Sequence, residues 1–562
     1  MKCDVWQRIG WLMLNPRATL FPYSRKVAGG RHATRYWLAT ICALWSAVPA
    51  GSAATLVHDF YLPMPEAQIR QTFTALESNV GTTLDSVFSV VITGEGTVIY
   101  YDQWEDGYET DIANPTQSTT QIWGDGNNSN GIPPGYTNDP PSFPAGTVLT
   151  LRNLVPLPRN PANLLFDARD RMAATKALVV SRAAWATTPG TVLAGAVEVT
   201  ATVDYGTSYI SPVGQDMTNA LFQYVGLMVM AEQDGTSVTI DTDGPGATAP
   251  FTVALNRGES YLVNGGVKKG GSVNATKPVQ VNLVIGHVGA HYASDWFTLY
   301  PTNQWSDSYV TPVGTAANGN ATFVYLYNPN AAAITINYST RVSSGSFSVP
   351  GASGVFQFQM PQNSGARFTS AGGQKFFALS TAGASPSSDA AYDWGFTLLP
   401  EDGLTTEAVV AWGPGSSDGS QNGSPVWVTP VAATRVYVDY NGDKLGPLTD
   451  PRGNKYDVHY DLGALESRTI FDPDKDQTAM RLYTLDGTLI TAAWGEDPAV
   501  AGPGNPFLDF GTTVLPFPVP VLKKTSILYT DNGAPGLTVG DVLEYTIFGC
   551  ATAALLPAPS LA

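Results

Sequence analysis

Cysteine, histidine and charge are all scarce: 562 residues hold 3 cysteines and 5 histidines, and only 14% are charged. Cys3 and Cys42 fall within the first 53 residues, so Cys550 alone remains for the body of the chain. Without an internal disulfide, its domains must be stabilised by burial or by metals. Long apolar runs are also missing. The stretch Trp37 to Val48 falls short of the ~20 residues a membrane helix needs, so no span is expected in the mature chain. Basic charge is in deficit, with 30 Lys and Arg against 47 Asp and Glu and a net charge of -17. That balance argues against a nucleic-acid partner, whose phosphates require clustered cations. No phosphate loop, dinucleotide fingerprint or nucleophile–base set is present. We therefore expect no catalytic residues and no enzyme.

The first 53 residues read as a signal peptide. Lys2, Arg8, Arg17, Arg25, Lys26, Arg31 and Arg35 stand against the single acid Asp4, the short apolar run follows, and Ala50-Gly51-Ser52-Ala53 supplies small residues for cleavage. The expected location is therefore secreted or cell-surface. Gly (56) and Pro (41) are plentiful, as in short strands joined by tight turns.

Three anchors recur. An aromatic–Ile/Val–Ser/Thr–Pro–Val motif appears at Tyr209 to Val213, Tyr309 to Val313 and Trp427 to Val431. An Asp–aromatic strand ending in Pro appears at Asp295 to Pro301, Asp393 to Pro400 and Asp509 to Pro516. A strand after Ala-Thr-Lys appears at Ala174 and again at Ala275. Their period near 100 residues divides the chain into a divergent first β repeat with an insertion (54–208), then 209–307, 308–425 and 426–516. Inside each repeat, runs such as Ser237-Val238-Thr239-Ile240, Ile334-Thr335-Ile336-Asn337 and Arg435-Val436-Tyr437-Val438 alternate with period two. About six or seven strands per repeat predict tandem antiparallel β-sandwiches of the jelly-roll or immunoglobulin-like kind, stacked into a stiff rod. A β-propeller-like arrangement of the repeats is the alternative. One helix is expected after Pro65, where Ile69, Phe73 and Leu76 share a face.

The pattern Asp295-x5-Pro301-x3-Trp305-x3-Tyr309-Val310-x-Pro312 resembles the N-terminal repeat of IgGFc-binding proteins and their bacterial relatives, over roughly residues 160–516. The segment Tyr101-Asp102-Gln103-Trp104-Glu105-Asp106-Gly107-Tyr108-Glu109 looks like one found in large bacterial surface proteins with that repeat. The tail, residues 517–562, is similar to the DUF11 conserved repeat through Leu522-Lys523-Lys524-Thr525, Asp531-Asn532-Gly533 and Val539 to Ile547. It departs from that pattern at Phe548-Gly549-Cys550, as a truncated immunoglobulin-type module would. The first resemblance implies antibody binding for animal members of the family, but no residue of the repeat identifies such a contact.

Acidic turns are the strongest chemical candidates. Asp439-x-Asn441-Gly442-Asp443 and Asp472-x-Asp474-x-Asp476 place oxygens at alternate positions, suited to calcium, or else to capping their own backbone. Comparable turns hold Asp102, Glu105 and Asp106, then Asp241 and Asp243, with Asn337 in the third repeat. The run His287-x3-His291-x3-Asp295 has metal-ligand spacing, but its glycines speak against the helix that would converge it. Gly415-Ser416-Ser417-Asp418-Gly419 matches a hydrolase elbow without the helix that motif requires. Trp104, Trp123 and Trp185 suit either sugar stacking or core filling, and the adjacent Glu105 and Asp106 cannot face one another across a glycosidase cleft. The function expected is an exported structural or adhesive binding protein with an extracellular protein or glycan ligand. A secreted carbohydrate-binding protein or glycoside hydrolase is the alternative.

Overall fold

A computed structural model describes residues 2–8, 56–187, 193–289 (without 245 and 247), 294–315, 321–383, 393–414, 424–497, 511–517, 522–530 and 542–551. His291, Asp509, Gly415 to Gly419 and most of the expected signal peptide lie outside them. The chain forms two compact units, one of residues 1–54 with 519–562 and one of Thr55–Pro518.

In the smaller unit, Lys2–Arg8, Val542–Ala551 and Leu522–Thr530 make an antiparallel three-stranded sheet in that order. The basic start of the expected targeting segment is therefore a strand in this chain. The two tail strands are those on which the likeness to the DUF11 repeat falls.

The larger unit is built from one eight-strand plan used four times. The third repeat shows it most plainly: Ser308–Thr311, Phe323–Asn328, Ile334–Thr340, Ser344–Val349, Gly354–Gln359, Ala366–Ser370, Phe377–Ala382 and Trp394–Thr397. Counted in that sequence, one sheet has the order 1-6-3-4 and the other 5-2-7-8, all antiparallel. The first repeat runs from His58–Tyr61 to Ala194–Glu198, the second from Gly206–Ile210 to Ser294–Leu299 and the fourth from Glu407–Val409 to Gly511–Val514, with the same two orders. In the second repeat, strands six and seven are one strand, Ser272–Gly286, which passes from one sheet into the other.

Two expectations change. The shared plan has eight strand positions rather than six or seven, although the second repeat merges two of them and so has seven strands. The fourth repeat also takes its first strand from Glu407–Val409, which pairs with Arg481–Tyr483, so it begins before residue 426. Trp427 therefore sits in its second strand, Val426–Pro430, whereas Tyr209 and Tyr309 sit in first strands. The shared Ser/Thr-Pro-Val therefore does not mark an equivalent place in the sheets.

Alternation holds where one face meets solvent. Ile334 and Ile336 are buried while Thr335 and Asn337 are exposed, and Val238 and Ile240 are buried between less buried neighbours. It fails at Tyr437, buried because the hairpin Leu448–Thr449 and Lys455–Tyr456 covers it. Tyr437 stacks on Tyr483 and meets the edge of Tyr456. Strands between two layers lose the pattern altogether, and Leu178–Ala186 is buried at every position. The helix Glu66–Leu76 buries Ile69, Phe73 and Leu76, with Pro65 as its N-cap.

The repeats do not form a rod. Their eighth strands meet in a closed ring, each against the next and the fourth against the first. Threonine hydroxyls knit the ring: Thr298 Oγ1 donates to the Glu198 carbonyl at 2.8 Å, Thr397 Oγ1 to the Thr298 carbonyl at 2.7 Å, and Thr513 Oγ1 to the Thr397 carbonyl at 2.6 Å. Closure falls to Thr512 Oγ1, which donates to the Glu198 carboxylate at 3.2 Å. Glycines admit the aromatic rings between repeats, Gly195 under the Trp296 indole and Gly495 and Gly511 under that of Trp394. Three repeats carry two separate sheets and the second one continuous seven-stranded sheet, where a propeller blade has one sheet of four strands, so the unit is not a propeller.

Candidate functional site

Ring closure brings the first repeat against the fourth, and a pocket of about 330 Å3 opens at that seam. Its first-repeat wall is the strand Val148–Pro156. Leu149 and Leu151 point into the core, so the period of two turns Val148, Thr150 and Arg152 towards the pocket. The opposite wall comes from three separate parts of the fourth repeat: Trp412 after its first strand, Asn441 after its third, and Asp476 and Thr478 before its sixth. At the floor the two backbones nearly touch. A Cβ on Gly146 would lie well inside 3.0 Å of the Gly442 carbonyl, and both glycines have positive φ.

The side chains here are held in place. Arg152 grips Asp85 through Nε at 3.0 Å and Nη2 at 2.8 Å, and lies 5.2 Å from the centre of the Trp185 ring. Trp185 stacks on Trp412 at 6.0 Å, and Trp412 meets Trp494 edge-on. Asp476 accepts from the Thr478 N–H at 3.0 Å, and the Thr478 hydroxyl accepts from the Gly413 N–H at 3.0 Å.

Five of the six expected calcium ligands, all but Asn441, accept backbone N–H groups of their own turns. Asp443 accepts from Leu445 N–H, Asp472 from Asp474 N–H and Asp474 from Asp476 N–H, each two residues on. Asp439 is fully buried; one oxygen accepts from Lys444 N–H at 3.0 Å and the other has no partner. Burial lifts its carboxyl to about 6, with the charges of Asp443 and Asp457 adding. One oxygen of Asp472 is likewise buried without a partner, and burial lifts that carboxyl to about 6 as well. Of the six, Asn441 and Asp476 reach the seam pocket. Among the described residues, no three His, Cys, Asp or Glu side chains are placed to hold a metal ion.

The other acidic candidates go elsewhere. Asp102 accepts from Glu109 N–H and the Thr120 hydroxyl, and Arg159 bridges Glu105 to Asp167. Asp170, wholly buried, accepts from the Tyr101 hydroxyl at 2.5 Å and from Trp104 N–H at 3.1 Å. Trp104 donates Nε1–H to Asp167, and the guanidinium groups of Arg159 and Arg169 lie 5.7 Å and 4.0 Å from its ring centre. This network locks the Tyr101–Glu109 segment. Asp106 caps Thr119, Asp243 pairs with Lys268, and Asn337 faces solvent in mid-strand. Trp123 is core, stacked on Tyr101.

Carboxylates also line the ring's interior. Asp295 is buried with neither oxygen hydrogen-bonded, and burial raises it to about 7. Glu198, raised to about 7 by burial, accepts from Tyr300 and Thr512 hydroxyls.

The family model described as IgGFc binding protein matches residues 197–475. The match runs from the last strand of the first repeat into the fourth. It takes in Asn441 on one wall of the seam and none of the wall built by Thr150 and Arg152. No curated protein matches the chain.

Proposed function

We propose that the protein is an extracellular, adhesive binding protein of a cell surface, with the four-repeat ring as its scaffold. The match of residues 197–475 to a family described as a binding protein carries this reading. A closed ring of buried strands supports it physically. A scaffold that does not rearrange loses little conformational entropy when it captures a ligand. The seam pocket is the surface we assign to recognition, since it gathers side chains from the first and the fourth repeat. Calcium is proposed to act in the acidic turns of the fourth repeat, where Asp439 and Asp472 each have a buried oxygen without a partner. A cation there would favour the charged carboxylates against the burial that raises both.

The test is a binding screen of the purified full chain against glycans, extracellular-matrix proteins and immunoglobulin Fc, with calcium and with chelator. Fc is included because the family description names it. Saturable binding to one class is expected, and it should weaken in chelator. Absence of binding in both conditions would refute the reading.

A further inference from the structure

We propose that the seam pocket binds a neutral saccharide; the inference rests on the binding function proposed above and names its ligand class. The lining carries the argument. Its polar groups donate and accept in both directions: Arg152 only donates, Asp476 only accepts, and Asn441, Thr150 and Thr478 do both. Trp412, 5% exposed, adds a small apolar surface beside them. A sugar ring presents the complementary pattern, hydroxyls that both donate and accept around a ring with apolar C–H faces.

Other ligand classes fit less well. An anion would meet Asp476, while the one cation of the lining, Arg152, is already matched by both oxygens of Asp85. An apolar ligand would bury Asn441, Asp476 and two threonine hydroxyls without hydrogen bonds, which is costly. A metal ion would find a single carboxylate in the lining. The volume, about 330 Å3, stands at the small end of ligand pockets, roughly 300–1,000 Å3, so one or two sugar units are the expected content. Pre-organisation is built in, because Arg152 is clamped by Asp85 and Trp412 is wedged between Trp185 and Trp494.

The experiment uses the full chain and a panel of neutral and anionic mono- and oligosaccharides, read by tryptophan fluorescence and by calorimetry. A neutral sugar should bind and perturb the emission of Trp412. Asn441→Ala and Thr150→Val should each weaken it about tenfold, the effect of losing one hydrogen bond. Both positions are exposed, so the fold should survive either change. Arg435→Ala, at an exposed surface ion pair outside the pocket lining, should leave affinity unchanged. Equal affinity in the Asn441 and Thr150 variants, or tighter binding of anionic than of neutral sugars, overturns the proposal. Binding of Fc or a matrix protein with no dependence on Asn441 overturns the pocket assignment but leaves the binding function standing. No binding of any class removes both.

Discussion

Adding one methyl group at Gly195 should damage the ring. Gly195 lies in the strand Ala194–Glu198 directly under the Trp296 indole of the next repeat, and a Cβ there would fall well inside 3.0 Å of three indole atoms. Ordinary contact is 3.4–4 Å, so strand and ring must part by about 1 Å. The indole has little room to move, since its Nε1–H donates to Ser294 Oγ at 3.0 Å and it packs on Phe73. Overpacking of this kind costs about 1–3 kcal/mol. How that appears in Tm depends on cooperativity. If the Thr55–Pro518 unit unfolds as one, its entropy is about 1 kcal/mol/K and 2 kcal/mol lowers Tm by only about 2 °C. If the repeats unfold separately, the same cost falls on about 100 residues and the drop is about 10 °C. Calorimetry on Gly195→Ala therefore measures both the clash and the closure of the ring. Gly403→Ala is the control, with no atom within 4 Å and an ordinary φ, and should be neutral or slightly stabilising. Trp296→Leu should relieve the Gly195→Ala defect in the double variant, giving clear non-additivity. Wild-type stability in Gly195→Ala would refute the packing of these inner strands.

Three further outcomes are expected. Arg182 is fully buried and donates to Glu66 Oε1 at 2.9 Å, so Arg182→Met should cost about 3–5 kcal/mol in urea unfolding, and adding Glu66→Gln should recover much of it. A double variant no better than the single would show that the loss is not the stranded charge. An unfolded aspartate titrates near 3.8 but Asp295 is held at about 7, so the native state keeps a proton the unfolded chain releases. Its stability contribution is complete below about pH 4 and declines as pH rises through 7, by at most about 1.4 kcal/mol per pH unit. Asp295→Asn should therefore match the wild type at pH 4 and exceed it at pH 8; parallel urea midpoints across that range would contradict this. Millimolar calcium should raise Tm, and Asp439→Asn with Asp472→Asn should abolish the rise; a shift that persists in that variant would move the ion elsewhere.

Of the candidate site, sequence reasoning reached one wall. Alternate oxygens marked Asn441 and Asp476, because a turn writes its residue types in adjacent positions. The facing wall was also written, as the alternation of Val148–Pro156, but alternation does not say what an outward face meets. Asp167 and Asp170 went unnoticed because their partners Tyr101 and Trp104 come from a strand and turn some sixty residues earlier.

The amino-acid sequence by itself determined the β class, the fourfold repetition, the half-buried strands and the helix after Pro65. Each of these depends on the backbone's own period and on which residues within a few positions are apolar. The tertiary structure alone decided that the repeats close into a ring, and so which acids are buried and where a pocket lies. The bonds that make this choice join residues more than 300 positions apart, such as Ser89 Oγ to the Ala411 carbonyl at 2.7 Å and Thr512 to Glu198. Such pairs are brought together only when every intervening repeat has packed on its neighbour, and no local pattern records that geometry.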